Sequence, residues 1–141
     1  MSAAFVLDPS LQADTVAVGD LALSRVLLMN DARFPWLILV PRVAGMRDLI
    51  DLPGQLAHEL FDEIDRASRA LRELHAPFKL NVAALGNVVA QLHVHVIARR
   101  SDDAAWPKPV WGVGAAQPYG AEVRDVELAR LRAALGVVAP G

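Results

Sequence analysis

Residues 91–97 read Gln, Leu, His, Val, His, Val, Ile, an alternation of polar and apolar side chains with the period of a β-strand. In a strand, Gln91, His93 and His95 share one face, while Leu92, Val94 and Val96 share the other. A slip of one residue would drive both imidazoles into the apolar layer and turn the valines out, so the core fixes the register. Two imidazoles are thereby held side by side on a rigid element. Three chemistries are compatible with such a pair. It can be a pair of surface histidines on a half-exposed strand, or two ligands of a metal ion whose third ligand comes from elsewhere. It can also serve nucleophilic or acid–base catalysis, for which imidazole is suited by a reference pKa of about 6.5.

Composition bounds the partners. With 141 residues, the chain is expected to form one domain with its own core. The 54% hydrophobic content and mean hydropathy of +0.31 are high for this size, so part of the apolar surface is expected against a second subunit. Fourteen basic and sixteen acidic residues give a net charge of -2 with no long basic run, which argues against a nucleic-acid partner. The absence of cysteine excludes disulfides and thiolate metal clusters and is compatible with a reducing compartment. The first eight residues lack a charged, apolar leader, and no apolar run reaches transmembrane length. A cytoplasmic protein without membrane attachment is expected.

Taken in order, residues 2–13 contain Pro9 and little periodicity, and read as a surface arm whose Phe5 and Leu7 can cover a pocket. Residues 15–18 and 21–29 predict a hairpin turning at Gly19 and Asp20. A loop at 30–35 follows, and then an apolar strand at 36–40, covered on both faces and ended by Pro41. Asn30, at a strand end, either offers its amide to a ligand or stabilises a turn. Asp51 is a candidate cap for a helix over about 55–75, in which Leu56, Leu60, Ile64, Ala67, Leu71 and Leu74 form the buried stripe. Asp62 with Arg66 and Asp65 with Arg69 are i, i+4 pairs on its solvated side. Pro77 stops it, and His58 and His75 fall to solvent or to the helix end. A strand over 78–83 and a turn with Gly86 and Asn87 feed the histidine strand. Trp106, Pro107, Lys108, Pro109, Val110 and Trp111 make a stiff aromatic segment, either a packed lid or a partner contact. Leu128, Leu131 and Leu135 predict a terminal helix ending at Gly136.

The stretch from Gln91 to Ile97 resembles the histidine-triad (HIT) motif, His-φ-His-φ-His-φ-φ with φ apolar, with glutamine in place of the first histidine. The order of a β-rich region, a proline-ended strand, one long helix, a strand bearing Asn81, a glycine turn and then the motif is also that of the family, over about 15–100. Trp106 and Pro107 are similar to an element that some members of the nucleoside phosphoramidase branch carry after the motif.

The resemblance, of bacterial type, implies a single HIT-like domain of α+β class over 1–141. Its expected form is an antiparallel sheet with one long helix packed on it, a short C-terminal helix and a C-terminal extension over 101–141. It implies a homodimer that hydrolyses or transfers nucleotidyl groups from nucleoside phosphoramidates or dinucleoside polyphosphates, with a purine nucleotide or dinucleotide as substrate and no metal or other cofactor. His93 is carried over as the nucleophile toward the α-phosphorus, with His95 at the phosphate or leaving-group oxygens and Gln91 supporting through its backbone carbonyl. Asn30 corresponds to the position that holds the ribose hydroxyls, and Asn81 and Asn87 to polar positions near the phosphate. Besides Gln91, the chain departs from the pattern at Val88, where several members place a hydroxyl, and at Trp36, where many place a histidine or a smaller residue.

Overall fold

The computed structural model describes residues 3–141. Five strands, β1 (Thr15–Asp20), β2 (Ser24–Met29), β3 (Trp36–Pro41), β4 (Lys79–Ala83) and β5 (Val94–Arg99), form one antiparallel sheet in the order β1-β2-β3-β5-β4. Helices α1 (Pro9–Asp14), α2 (Gly54–His75) and α3 (Ala121–Leu135) complete the chain. The long helix and short C-terminal helix on an antiparallel sheet are the α+β arrangement that the resemblance implied.

The periodicity of α2 predicts its packing. Leu60, Ala67 and Leu71 are buried, with Leu56, Ile64 and Leu74 partly so, against Leu37, Leu39, Val94 and Val96 of β3 and β5. Truncating one such leucine to alanine costs roughly 2–5 kcal/mol. The same stripe carries a buried carboxylate that periodicity does not mark: Glu63 accepts the N–H groups of Leu23 and Ser24 at 2.8 and 2.9 Å, tying the β1–β2 connection to the helix. Helix α3 adds Leu128, Leu131 and Leu135 to the same core.

The other face of the sheet is also covered, which the alternating pattern of β5 does not suggest. Leu27, Phe34, Trp36, Ile38, Val40 and Ile97 form a second apolar layer with Leu11, Ala105 and Val110, and Phe5 and Leu7 of the arm pack against it. All six residues of β5 are therefore buried, as are those of β3.

Several local expectations are corrected. The segment 9–14 is helical, because Pro9 opens it and the Asp8 carboxylate accepts the Ser10 N–H. The hairpin turns at 21–23, and Gly19 lies within β1 beside a bulge. Its lack of a side chain serves packing, since a Cβ there would stand 2.6 Å from the Val138 carbonyl oxygen. Arg132 fills the carbonyls of Ala17 and Val18 at that irregularity. Asp51 sits in a 3-10 turn and accepts from the N–H groups of Arg47 and Asp48, leaving α2 to begin after Pro53 with no side-chain cap. Asp65 and Arg69 pair at 2.9 Å, whereas Arg66 donates to the Leu135 carbonyl rather than pairing with Asp62. His58 is exposed, and His75 ends α2 with Nε2 2.6 Å from Glu127 of α3.

Candidate active site

Strand β5 begins at Val94, so Gln91 to His93 approach the sheet as irregular chain. The imidazoles nevertheless meet edge to face, with centroids 4.9 Å apart and both side chains buried. His93 Nδ1 lies 2.6 Å from the backbone carbonyl oxygen of Gln91. A carbonyl only accepts, so Nδ1 carries a hydrogen, and in the neutral ring the lone pair is on Nε2.

The neighbouring strand supplies the partner of His95. Ile38 of β3 is paired with His95 and Trp36 with Ile97, which places the Trp36 side chain diagonally beside His95 on one face. The indole N–H of Trp36 donates to His95 Nδ1 at 3.0 Å. Trp111, from the segment after β5, stands edge-on to both rings, with centroids 5.0 Å from His95 and 5.8 Å from Trp36. The aromatic segment is thus a packed cover in this structure. Burial, reinforced by the nearby His93, lowers the His95 pKa to about 4.

The Gln91 side chain is turned away from the imidazoles. Its Oε1 accepts from the Asp8 N–H and its Nε2 donates to the Val6 carbonyl, both at 2.8 Å, so one amide grips the arm as a strand neighbour would. Only the backbone of Gln91 reaches His93.

Beside Trp36 and Trp111 opens a cleft of about 460 Å³ that also involves Asn30, Asp31 and Arg33. The Asn30 side-chain oxygen accepts the Tyr119 N–H at 2.9 Å, while its NH2 group has no partner among the described residues. Asp31 is buried and paired with Arg33 at 2.9 Å. Burial alone would raise its pKa, but hydrogen bonds from Arg33 and from the Gln117 N–H outweigh that and hold it below the usual carboxylate range. Asp31 sits in a loop with no periodic signal, and the sequence, which marks Trp36 as a departure from the family pattern and Trp111 as part of a lid or partner contact, does not show either as a neighbour of His95.

Asn81 lies on the His95 face of β4, paired with Ile97, and its Oδ1 is taken by Arg99 at 2.9 Å. Arg99 is itself buried between the rings of Phe34 and Trp106 and bound to Asp103. Asn87 is exposed in the loop after Gly86, whose φ of 87° fits the expected turn. Val88 is 97% exposed beside it. The structure thus brings His93 and His95 together, leaves Asn30 facing a cleft, and commits Asn81 to an arginine. Among the described residues, no group of three histidine, cysteine, aspartate or glutamate side chains is placed to share a metal ion.

Three solved structures resemble this one over nearly its whole length. A histidine triad protein from Bradyrhizobium japonicum is 48% identical, with 94% of this chain and 99% of that chain covered and a TM-score of 0.93. One from Sinorhizobium meliloti 1021 is 43% identical, with 93% and 97% covered and a TM-score of 0.91. One from Marinobacter aquaeolei VT8 is 45% identical, with 95% and 98% covered and a TM-score of 0.93. No curated protein matches the chain. The HIT domain profile matches residues 10–102, and with these relatives it establishes that the chain belongs to the HIT domain family.

Proposed function

We propose that this protein is a nucleotide hydrolase or nucleotidyl transferase acting at the α-phosphate of nucleoside phosphoramidates or dinucleoside polyphosphates through a covalent intermediate on His93. The observation that carries the reading is the hydrogen bond from His93 Nδ1 to the Gln91 carbonyl, which in the neutral ring puts the lone pair on Nε2. In the first step, Nε2 attacks phosphorus and the bond to the leaving group breaks. The leaving group departs with the bonding pair, and an amine takes a proton from water. Water, or an acceptor hydroxyl in transfer, then attacks phosphorus, the phosphorus–Nε2 bond breaks with its pair returning to the ring, and one proton passes from the attacking oxygen to solvent. The proton stays on Nδ1, donated to the Gln91 carbonyl throughout, so the oxygen's partial negative charge stabilises the positive charge of the phosphorylated ring.

Asn30 is assigned to the ribose through its unpartnered NH2 group in the cleft, Asn87 to the phosphate side, and Asn81 to the same side through its NH2 group, its oxygen being taken by Arg99. A purine nucleotide fits this reading as substrate, with no metal participating. The protein is proposed to be a cytoplasmic homodimer, its partner contact made by the edge strand β4 and by α2, which leave Val82 and Phe61 exposed. The 101–141 region is proposed as an extension of one HIT-like domain.

A nucleotide-binding module with little turnover is the second reading. It is favoured by Trp111 standing over His95 and by the use of the Gln91 amide on the arm. Measuring AMP binding and hydrolysis of adenosine 5′-phosphoramidate in one sample separates the two. Turnover with an acid-labile phosphorus adduct on His93 supports the enzyme; AMP binding with neither turnover nor adduct supports the module.

A further inference from the structure

We infer that Trp36 is a positioning residue for the histidine pair, holding His95 as a neutral imidazole that presents Nε2–H to the substrate. The indole N–H can only donate, so the His95 Nδ1 that it meets at 3.0 Å must accept, and the ring hydrogen is left on Nε2. That Nε2 has no partner among the described residues. Neither ring is free to turn away. Both are about 5% exposed, Phe34 and Trp111 pack on the edges and faces of Trp36, and the β3–β5 register fixes the two backbones.

Protonating His95 would set an Nδ1–H against the indole N–H, two donors facing each other in a buried site. Burial acts in the same direction. The titratable groups around the ring do not offset this. His93 adjoins it and offers no negative charge to a cation, while the guanidinium of Arg99, farther along β5, is bound to Asp103. Asp31 is paired with Arg33 in the neighbouring cleft, and the Asp8 carboxylate on the arm caps α1. His95 therefore serves as a neutral hydrogen-bond donor to a phosphoryl oxygen, and it neither accepts a proton at Nε2 nor adds charge to the site.

This role rests on the phosphoryl chemistry proposed above, but the state of the ring is measured without it. Long-range ¹H–¹⁵N correlation spectra of the labelled full chain between pH 5 and 8 should show His95 protonated on Nε2 alone throughout. An imidazolium at pH 7, or the Nδ1–H tautomer, overturns the inference. Trp36→Phe keeps an aromatic ring but lacks the N–H. It should give mixed His95 tautomers, a kcat lower by about tenfold, and a pH profile with an added acid-side dependence. A folded Trp36→Phe protein with unchanged tautomer and pH profile also overturns it. Should that variant fail to fold, the wild-type spectrum decides. The Nε2–H form in a protein with no turnover would support the assignment of Trp36 and overturn the catalytic reading instead.

Discussion

His93 is oriented by the backbone of Gln91 rather than by its side chain: Nδ1 lies 2.6 Å from the carbonyl oxygen two residues earlier. Any residue at position 91 can supply that carbonyl, so the departure from the triad leaves the geometry of the central histidine intact. Replacing His93 by Asn should lower turnover by several powers of ten while AMP binding stays within a few-fold, because the cleft beside Asn30 does not include His93. Quench-flow and mass spectrometry should place the phosphorus adduct on His93. An adduct on His95, or full activity in His93→Ala, would refute the assignment.

The Gln91 side chain has a different task. Gln91→Ala removes the two hydrogen bonds to Val6 and Asp8, each worth roughly 1 kcal/mol net, and should loosen the arm without unfolding the sheet. Amide exchange at Asp8 should accelerate by about tenfold or more while exchange in β3 and β5 is unchanged. Gln91→His, which restores the triad pattern, should loosen the arm similarly. Unaltered exchange at Asp8 in both variants would show that the grip is unimportant.

Acid should destabilise the protein in two separable windows. The folded pKa of His95, about 4, lies below its reference of 6.5 because burial and His93 disfavour the cation. Between these values the unfolded chain binds a proton that the folded one refuses. The corresponding stability is present above pH 6.5 and is lost as pH falls toward 4, about 3 kcal/mol in all. Burial works against ionised Asp103, but Arg99 and the N–H groups of Ala105, Arg100 and Trp106 prevail and lower it from 3.8 to about 2, so its contribution fades only below pH 4. Denaturant midpoints for His95→Gln should be flatter than wild type between pH 6.5 and 4; equal slopes would rule out the buried neutral ring as their source.

Dimerisation is best tested at Phe61, which is 70% exposed on α2. Leu60, the neighbouring apolar position, is buried within the protomer, so charging it would damage folding whatever the assembly. Phe61→Glu should shift sedimentation from dimer to a 15.2 kDa monomer with a similar thermal midpoint at high concentration. A wild-type monomer at micromolar concentration would remove the proposal.

Exhaustive chelation should leave phosphoramidate turnover within about twofold, since His93 and His95 are engaged by Gln91 and Trp36 through their Nδ1 atoms and no third protein ligand adjoins them among the described residues. Activity lost on chelation and restored by one equivalent of zinc would show a metal enzyme.

The elements that were legible beforehand are those with a local repeat. Leu60, Ala67 and Leu71 announce α2, and Leu128, Leu131 and Leu135 announce α3, because a helix writes its buried face every three to four residues. Alternation from Leu92 to Val96 fixed which side chains of β5 meet α2. At Asp51 a local competitor wins, the N–H groups of Arg47 and Asp48 a few residues earlier, whereas the placement of Gly19 depends on Val138 from the far end of the chain. The sequence by itself determined that His93 and His95 stand together and that a carbonyl at 91 is available to orient one of them. Only the tertiary structure decided that Trp36 donates to His95 across 59 residues and that Gln91 holds the arm. Those contacts follow from strand order and from how distant segments stack, and neither leaves a periodic trace in the chain.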